Sequence, residues 1–76
     1  MPIAHNKEEL IQQIRLKISE KGSSVREVAN ESGVSKTLIQ NLLTMNPPNV
    51  SLDILFKIAR AYKVSFRFEY LAKNNS

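Results

Sequence analysis

The sequence predicts a mainly α-helical domain of four helices, followed by one short β-strand near the C-terminus. Hydrophobic residues recur at helical spacing in four segments of the 76-residue chain. After the last of these segments, apolar and polar residues alternate from Val64 to Leu71, as they do in a half-buried strand. A third observation, a helix-turn-helix pattern between Ser24 and Thr44, points to the function of the domain.

The stretch from Ser24 to Thr44 carries the start and stop signals of two short helices joined by a tight turn. Ser24 and Glu27 stand at the spacing of a capping box, which opens the first helix. Gly33 can adopt the positive φ that ends a helix, and Ser35 can cap the helix that follows. We therefore predict a second helix that begins directly after Ser35.

This second helix has two chemically different faces, at about 100° per residue. One face is apolar and must pack inward: Leu38, Ile39, Leu42 and Leu43. The opposite face is polar: Lys36, Thr37, Gln40, Asn41 and Thr44. Ammonium, amide and hydroxyl groups are those that bind base edges and phosphates in the DNA major groove. We predict that this helix binds DNA, and prefer this to the alternative of an ordinary antiparallel helix pair in a small bundle.

Two further helices are predicted outside this pair. Asn6 and Glu9 form a capping pattern for a helix over residues 7–21. Its inward stripe is Leu10, Ile11, Ile14 and Ile18. Ser51 is expected to cap a helix that runs to about Tyr62, whose polar stripe consists only of Asp53, Lys57 and Arg60. Because a surface helix needs an apolar stripe only about 100° wide, we expect a second burial surface here or a domain that wraps this helix deeply.

The C-terminal alternation predicts a strand that pairs with a second copy of the chain. Apart from residues 2–4, no other segment has strand character, and a lone strand leaves an unpaired edge. The simplest partner is the same strand, antiparallel across a two-fold axis; the alternative is a helical turn or a floppy tail. The predicted dimer interface is Phe56, Tyr62, Val64, Phe66, Phe68 and Tyr70.

The predicted organisation has four parts. Residues 1–6 form an N-terminal arm, frayed or extended, and residues 7–63 form the helix-turn-helix domain. Residues 64–71 form the dimerisation strand, and residues 72–76 form a disordered tail.

Composition favours a polyanionic partner and gives no support to an enzyme. The net charge is +4 and the sequence pI is about 9.7. The chain has no cysteine, a single histidine and no glycine-rich phosphate loop, so we predict no catalytic residues, no metal and no cofactor. No apolar run approaches the length of a membrane span, and we expect a bacterial cytoplasmic, nucleoid-associated protein.

Several motifs resemble the Cro/lambda-repressor-like (Xre) helix-turn-helix domain across residues 10–64. They are Val28-Ala29, Gly33-Val34-Ser35, Ile39 and Leu42, followed by the helix over residues 52–61. The resemblance implies base contacts from Ser35, Lys36, Thr37, Gln40 and Asn41. Phosphate contacts are predicted for Ser24, Arg26, Thr44 and Asn46. Val25 stands where family members often carry glutamine, which removes one expected phosphate or bridging contact.

The C-terminal part is similar to HipB-type antitoxins, in which a short strand after the last helix pairs with its twin. The motif is S-L-D-I-L-F-K-I-A-R-A-Y followed by V-S-F-R-F. The resemblance implies a homodimeric repressor that binds a palindromic operator in double-stranded DNA, and a HipA-like toxin as a further partner. The alternatives are a phage or mobile-element regulator without a toxin, and a protein-interaction module that uses the strand edge.

Overall fold

The computed structural model describes residues 3–68, and these residues form four helices. Helix α1 spans Lys7–Lys21, α2 spans Val25–Ser32, α3 spans Lys36–Thr44 and α4 spans Leu52–Ala61. The predicted mainly α-helical architecture is confirmed, and α1 has the predicted bounds. The fourth helix ends at Ala61 with Tyr62 as its C-cap residue, as the prediction of an end at about Tyr62 requires.

Side-chain caps start three of the four helices. The Asn6 side chain accepts from the Glu9 N–H at 2.9 Å, and the Ser35 side chain accepts from the Leu38 N–H at 3.3 Å. Ser24 and Glu27 form the predicted reciprocal capping box. The cap predicted for Ser51 is wrong in one respect: Ser51 precedes α4 in an extended conformation, but its side chain makes no capping hydrogen bond.

One hydrophobic core holds the four helices together. Its largest fully buried side chains come from every helix: Leu10, Ile14, Val28, Ile39, Leu42, Leu55 and Ile58. The predicted inward stripe of α1 is buried along its whole length, as the helical spacing requires. Among residues 3–68 no charged side chain is buried, and the hydroxyl of the buried Tyr62 reaches the surface carboxylate of Glu31, so the core itself is apolar.

The N-terminal arm and the segment after α4 contact each other inside one chain. The Ala4 N–H donates to the Ser65 carbonyl at 3.0 Å, and the Arg67 N–H donates to the Ala4 carbonyl at 2.8 Å. These bonds make a single parallel bridge between Ala4 and Phe66, and Ala4 is only 1% exposed. At Ala4 the arm is therefore extended and packed against the segment after α4.

Residues 64–68 form no strand within the single described chain, only this isolated bridge, and their pairing with a second copy stays a prediction. The bridge to the arm stays this short because α1 is capped at Asn6, two residues after Ala4, which leaves no further residues to extend the ladder within the chain. Positions 69–71 of the predicted strand, the interface residue Tyr70 and the tail 72–76 lie outside the described residues, as do positions 1 and 2 of the arm.

The predicted alternation of sides is nevertheless visible in residues 64–68. Val64 is buried and Phe66 and Phe68 are half-buried, whereas Ser65 and Arg67 are exposed. The Phe66 ring stacks on the Phe56 ring of α4 with centroids 4.6 Å apart, and the Phe68 ring meets Phe56 edge-on at 5.5 Å. We call Phe56, Phe66 and Phe68 the aromatic cluster.

A polar cluster joins the ends of α1, α2 and α4. The Tyr62 hydroxyl donates to Glu31 Oε1 at 2.6 Å, and Lys21 Nζ donates to Glu31 Oε2 at 3.1 Å. Lys21 Nζ also lies 4.9 Å from the centroid of the Tyr62 ring, in a cation–π arrangement. The bond from Tyr62, then that from Lys21, lowers the pKa of Glu31, while burial and the bond to Glu31 raise the pKa of Tyr62.

This polar cluster predicts how acid affects stability. Because the pKa of Glu31 is lower in the folded chain, its contribution is present above the unfolded value near 4.5 and is lost as pH falls through the folded value. Tyr62→Phe removes the main cause of the shift, so its urea midpoint should lie below that of the wild type at pH 7 and approach it in acid. Urea titrations across this range measure the gap. A gap that stays constant down to pH 3 would contradict the role given to Glu31.

Candidate nucleic-acid interface

The core fixes one face of α3 and leaves the other face on the surface. Ile39 and Leu42 are 0% exposed, while Leu38 and Leu43 are half-buried at the edges of this inner face. Lys36, Thr37 and Gln40 are exposed on the opposite side. The predicted separation of an apolar and a polar face is therefore present in the folded chain.

Three side chains on the outer face of α3 are available to bind a ligand. Lys36, Thr37 and Gln40 have no side-chain hydrogen bond or ion pair to any other described residue. The Gln40 amide can donate to N7-side acceptors and accept from amino groups, and the bidentate pairing of glutamine with adenine uses both of its functions. The Lys36 ammonium suits a guanine acceptor or a phosphate.

The two serines that cap α2 and α3 stand at the positive ends of these helices. Ser24 Oγ and Ser35 Oγ each accept from a backbone N–H, which leaves both hydroxyl protons free to donate. Helix N-termini favour anions such as phosphate. Arg26, exposed in the first turn of α2, adds a cation beside Ser24. This arrangement fits the predicted contacts with a DNA backbone.

Asn41 is partly committed inside the chain. It is half-buried, and its Oδ1 accepts from the Asn49 N–H at 2.7 Å, which ties the loop after α3 to the helix. A bidentate adenine contact would also use this oxygen, which keeps a second lone pair, but the bond to Asn49 restricts the orientations that the Asn41 amide can adopt toward a base. The bond joins a side chain to a backbone N–H eight residues later. No helical spacing predicts such a bond.

The two remaining predicted phosphate contacts differ in what they can donate. The Thr44 hydroxyl donates to the Gln40 carbonyl at 2.7 Å, so its single proton is already used within α3. A phosphate oxygen needs a donor, and Thr44 would have to break this bond to supply one. Asn46 is exposed in the loop after α3 and has no side-chain hydrogen bond to another described residue.

Sequence reasoning missed Arg15, a residue of α1 that contacts the end of α3. Its Nε donates to the Leu42 carbonyl at 2.9 Å, and its Nη2 donates to the Met45 carbonyl at 2.7 Å. The partners are 27 and 30 residues away in the chain, so no local signal marks them. Arg15 occupies the flank of α1 next to its apolar stripe, where a cation is usually solvated.

Other kinds of site have little support among residues 3–68. A surface cavity of about 110 Å³ lies between α1 and the loop after α3, well below the roughly 300–1,000 Å³ of small-molecule sites. The described residues contain no group of three or more side chains that could hold a metal ion. None of the described helices is long and apolar enough to cross a membrane.

Comparison with known families identifies the domain. A family model for helix-turn-helix domains matches residues 11–68, which include all of α2, α3 and α4 and most of α1. The chain belongs to this Cro/C1-type helix-turn-helix family, a family of DNA-binding regulatory domains. No curated protein and no solved structure matches the chain significantly.

The outer face of α3 generates a prediction about base recognition. Against a duplex selected from a random library by the wild-type protein, Gln40→Ala should lose about 1–3 kcal/mol of binding free energy. Binding to unselected DNA should change little, because Gln40 carries no charge. Titrations by fluorescence anisotropy on both duplexes measure the two effects.

A matched control is Gln13→Ala on α1. Gln13 is two residues from Arg15, about 200° around the helix and therefore on the side away from α3. This variant should bind both duplexes as the wild type does. Equal losses on selected and random DNA for Gln40→Ala would make Gln40 a general backbone contact instead of a base contact.

Proposed function

We propose that this helix-turn-helix protein is a homodimeric transcriptional repressor that reads a palindromic operator, and that it is the antitoxin of a HipBA-like module. The observation that most supports sequence-specific DNA binding is the exposed polar surface on the outer face of α3. Lys36, Thr37 and Gln40 are exposed and unbonded among the described residues, on a helix whose inner face is fixed in the core. Such a face can be presented to a groove without any rearrangement.

The proposed contacts divide into base readers and backbone anchors. Ser35, Lys36, Thr37 and Gln40 would meet base edges, and Asn41 would join them in the orientation that its bond to Asn49 allows. Ser24, Arg26 and Asn46 would bind phosphates, and Thr44 would join them only after giving up its bond within α3. Phosphate contacts set the register of the protein on DNA and base contacts select the sequence.

The backbone of residues 64–68 supports a second copy as a partner. The Ser65 carbonyl and the Arg67 N–H point toward Ala4, so the alternation of an extended chain turns the backbone groups of Phe66 and Phe68 to the opposite edge. No described residue bonds to the N–H of Phe66 or Phe68. An antiparallel partner at this edge would pair the two copies' Phe66 residues, or Phe66 of each copy with Phe68 of the other.

The aromatic cluster supports the same interface. Phe56, Phe66 and Phe68 pack on one another yet remain half-exposed beside the free edge. Aromatic side chains of this size contribute a large favourable free energy of association when a partner buries them. Tyr62 and Val64 are exceptions in the predicted interface, because each is only 7% exposed, and the Tyr62 hydroxyl is bound to Glu31. We leave both out of the proposed interface.

A dimer of this kind would explain how a small domain reads an operator. Two recognition helices must lie about 34 Å apart to enter successive major grooves on one face of DNA. A backbone ladder together with the aromatic cluster would hold that spacing, since ladder register leaves little freedom between the copies. The bound dimer would block transcription by occupying the promoter.

The antitoxin setting is supported by the resemblance of α4 and the following segment to HipB-type proteins. It is tested by the gene beside this one: a HipA-like toxin whose growth arrest is relieved by co-expression of this chain would support it. A phage or mobile-element neighbourhood with no toxin gene would replace it with the regulator alternative, in which the DNA-binding surface is unchanged.

The half-exposed aromatic cluster also favours a second candidate function, a protein-interaction module that uses the free edge of residues 64–68. The two functions differ in their response to salt. DNA binding releases counterions, whereas strand pairing and aromatic burial do not.

Salt dependence therefore provides the main test of the repressor. With Arg26 of both copies on phosphates, and Lys36 of both copies as further cations, affinity for the selected duplex should fall about tenfold to a hundredfold between roughly 50 and 200 mM salt. The sedimentation coefficient of the free protein should stay that of a dimer over the same range. Failure to select any duplex, or affinity that ignores salt, would favour the interaction module.

The proposed interface predicts that backbone pairing and burial of the aromatic ring contribute separately to the stability of the dimer. Phe66→Ala removes the ring and keeps the N–H, whereas Phe66→Pro also removes the N–H at the free edge. We expect sedimentation equilibrium to show a weakened dimer for the first variant and mainly monomer for the second. Arg67→Pro is the matched control, since it removes an N–H that faces Ala4 within the chain. Equal dimerisation of both Phe66 variants would exclude backbone pairing at this edge.

A further inference from the structure

The C-terminal end of α3 lacks the features that usually close a helix. Its C-cap residue Met45 is extended, with φ −88° and ψ 148°, and the last turn contains no basic residue. The last carbonyls of any helix have no partner within the helix and need one from elsewhere. Glycine in a left-handed conformation closes α1 and α2, but α3 has no such residue.

Arg15 supplies the missing partner from a different helix. One guanidinium donates both to the Leu42 carbonyl in α3 and to the Met45 carbonyl just beyond it. Both bonds are short and are made by a cation at the negative end of the α3 dipole, which strengthens them. The planar guanidinium fixes the direction of the two bonds, as a lysine ammonium would not.

The base of Arg15 is itself fixed. Its neighbour Ile14 is fully buried in the core, and Ile11 and Ile18, one turn away on either side, are also buried. The Arg15 side chain therefore ties the free end of α3 to the most firmly anchored stretch of α1. Gln40 lies just two residues before Leu42, so any tilt of this end would displace it.

We infer that Arg15 is a positioning residue for DNA recognition: it sets the angle of the outer face of α3 without itself reading a base. The inference rests on the proposed function, in which α3 enters the major groove. The Asn41–Asn49 bond restrains the same end through the following loop, and Arg15 restrains it through the core. Together they hold the outer face against the displacement that groove contacts would otherwise cause.

The first test needs no DNA and uses amide hydrogen exchange of the full chain measured by NMR. Arg15→Gln and Arg15→Lys should both speed exchange at Leu43, Thr44 and Met45 by about tenfold or more, while the amides of α4 keep wild-type protection. The loss is local because these amides close the last turn of α3. Unchanged protection of these amides in both variants would overturn the inference. Faster exchange by the same factor in all four helices would mean that Arg15 stabilises the whole fold and does not position α3, which would also overturn it.

The second test compares the selected duplex with random DNA at a temperature at which every variant is folded. Arg15→Gln and Arg15→Lys should both reduce the ratio of specific to non-specific affinity, by about threefold to thirtyfold. Arg26→Gln is the control for loss of a cation, and it should weaken both duplexes alike and leave the ratio unchanged.

Two results would overturn the positioning role. If Arg15→Lys keeps full affinity while Arg15→Gln lowers the salt slope by about one contact per copy, that is about two per dimer, Arg15 is a phosphate anchor. If both variants bind both duplexes as the wild type does, the bonds to α3 do not matter for recognition. A wild-type protein with no sequence preference would defeat the proposed function instead, and the exchange experiment would still decide whether Arg15 holds α3.

Discussion

Burial of Ile39 and Leu42 is the constraint on which the rest of the structure depends. Helix α3 has nine residues, which is too short to be stable by itself in water. Its helical form therefore comes from packing of its inner face on α2 and the core, where both side chains are completely buried. The same packing leaves Lys36, Thr37 and Gln40 on the outside, so the exposed polar face follows directly from the fit of the apolar one.

Packing fixes only the middle of a short helix, so other groups must restrain its two ends. At the start of α3 the restraining group is close in sequence, since Ser35 caps the helix three residues before Leu38. At the end of α3 the restraining group is distant in sequence, since Arg15 of α1 donates to the carbonyls of Leu42 and Met45. This difference matters because the hydroxyl of Ser35 keeps a free proton for a ligand, whereas the guanidinium of Arg15 donates to two carbonyls of the chain itself. The start of α3 is therefore suited to contact a ligand, and the bonds at its end are suited to fix the position of the helix.

The elements that local chemistry determines were predictable from the sequence, and those made by distant parts of the chain were not. Helical spacing gave the inner stripe of α1, and the capping box at Ser24 and Glu27 marked the start of α2. The Arg15 bonds, the Asn41–Asn49 bond and the Ala4–Phe66 bridge each join residues that no short pattern relates. The cap expected from Ser51 failed because a suitable residue type at the right position does not fix its rotamer. The exposed face of the candidate site was thus predictable, but the internal use of Asn41 and Thr44 was not.

The Ala4–Phe66 bridge changes what the segment after α4 can offer to another molecule. A strand with two open edges can add partners on both sides and so can continue into larger assemblies. Here Ala4 covers one edge, and its own side chain is buried in the core, so this edge is not easily vacated. Among the described residues this leaves one open edge, next to the half-exposed aromatic cluster, for one partner chain. In the proposed dimer, two identical copies that met through this edge would close on each other, because each would use the described edge that the other has open.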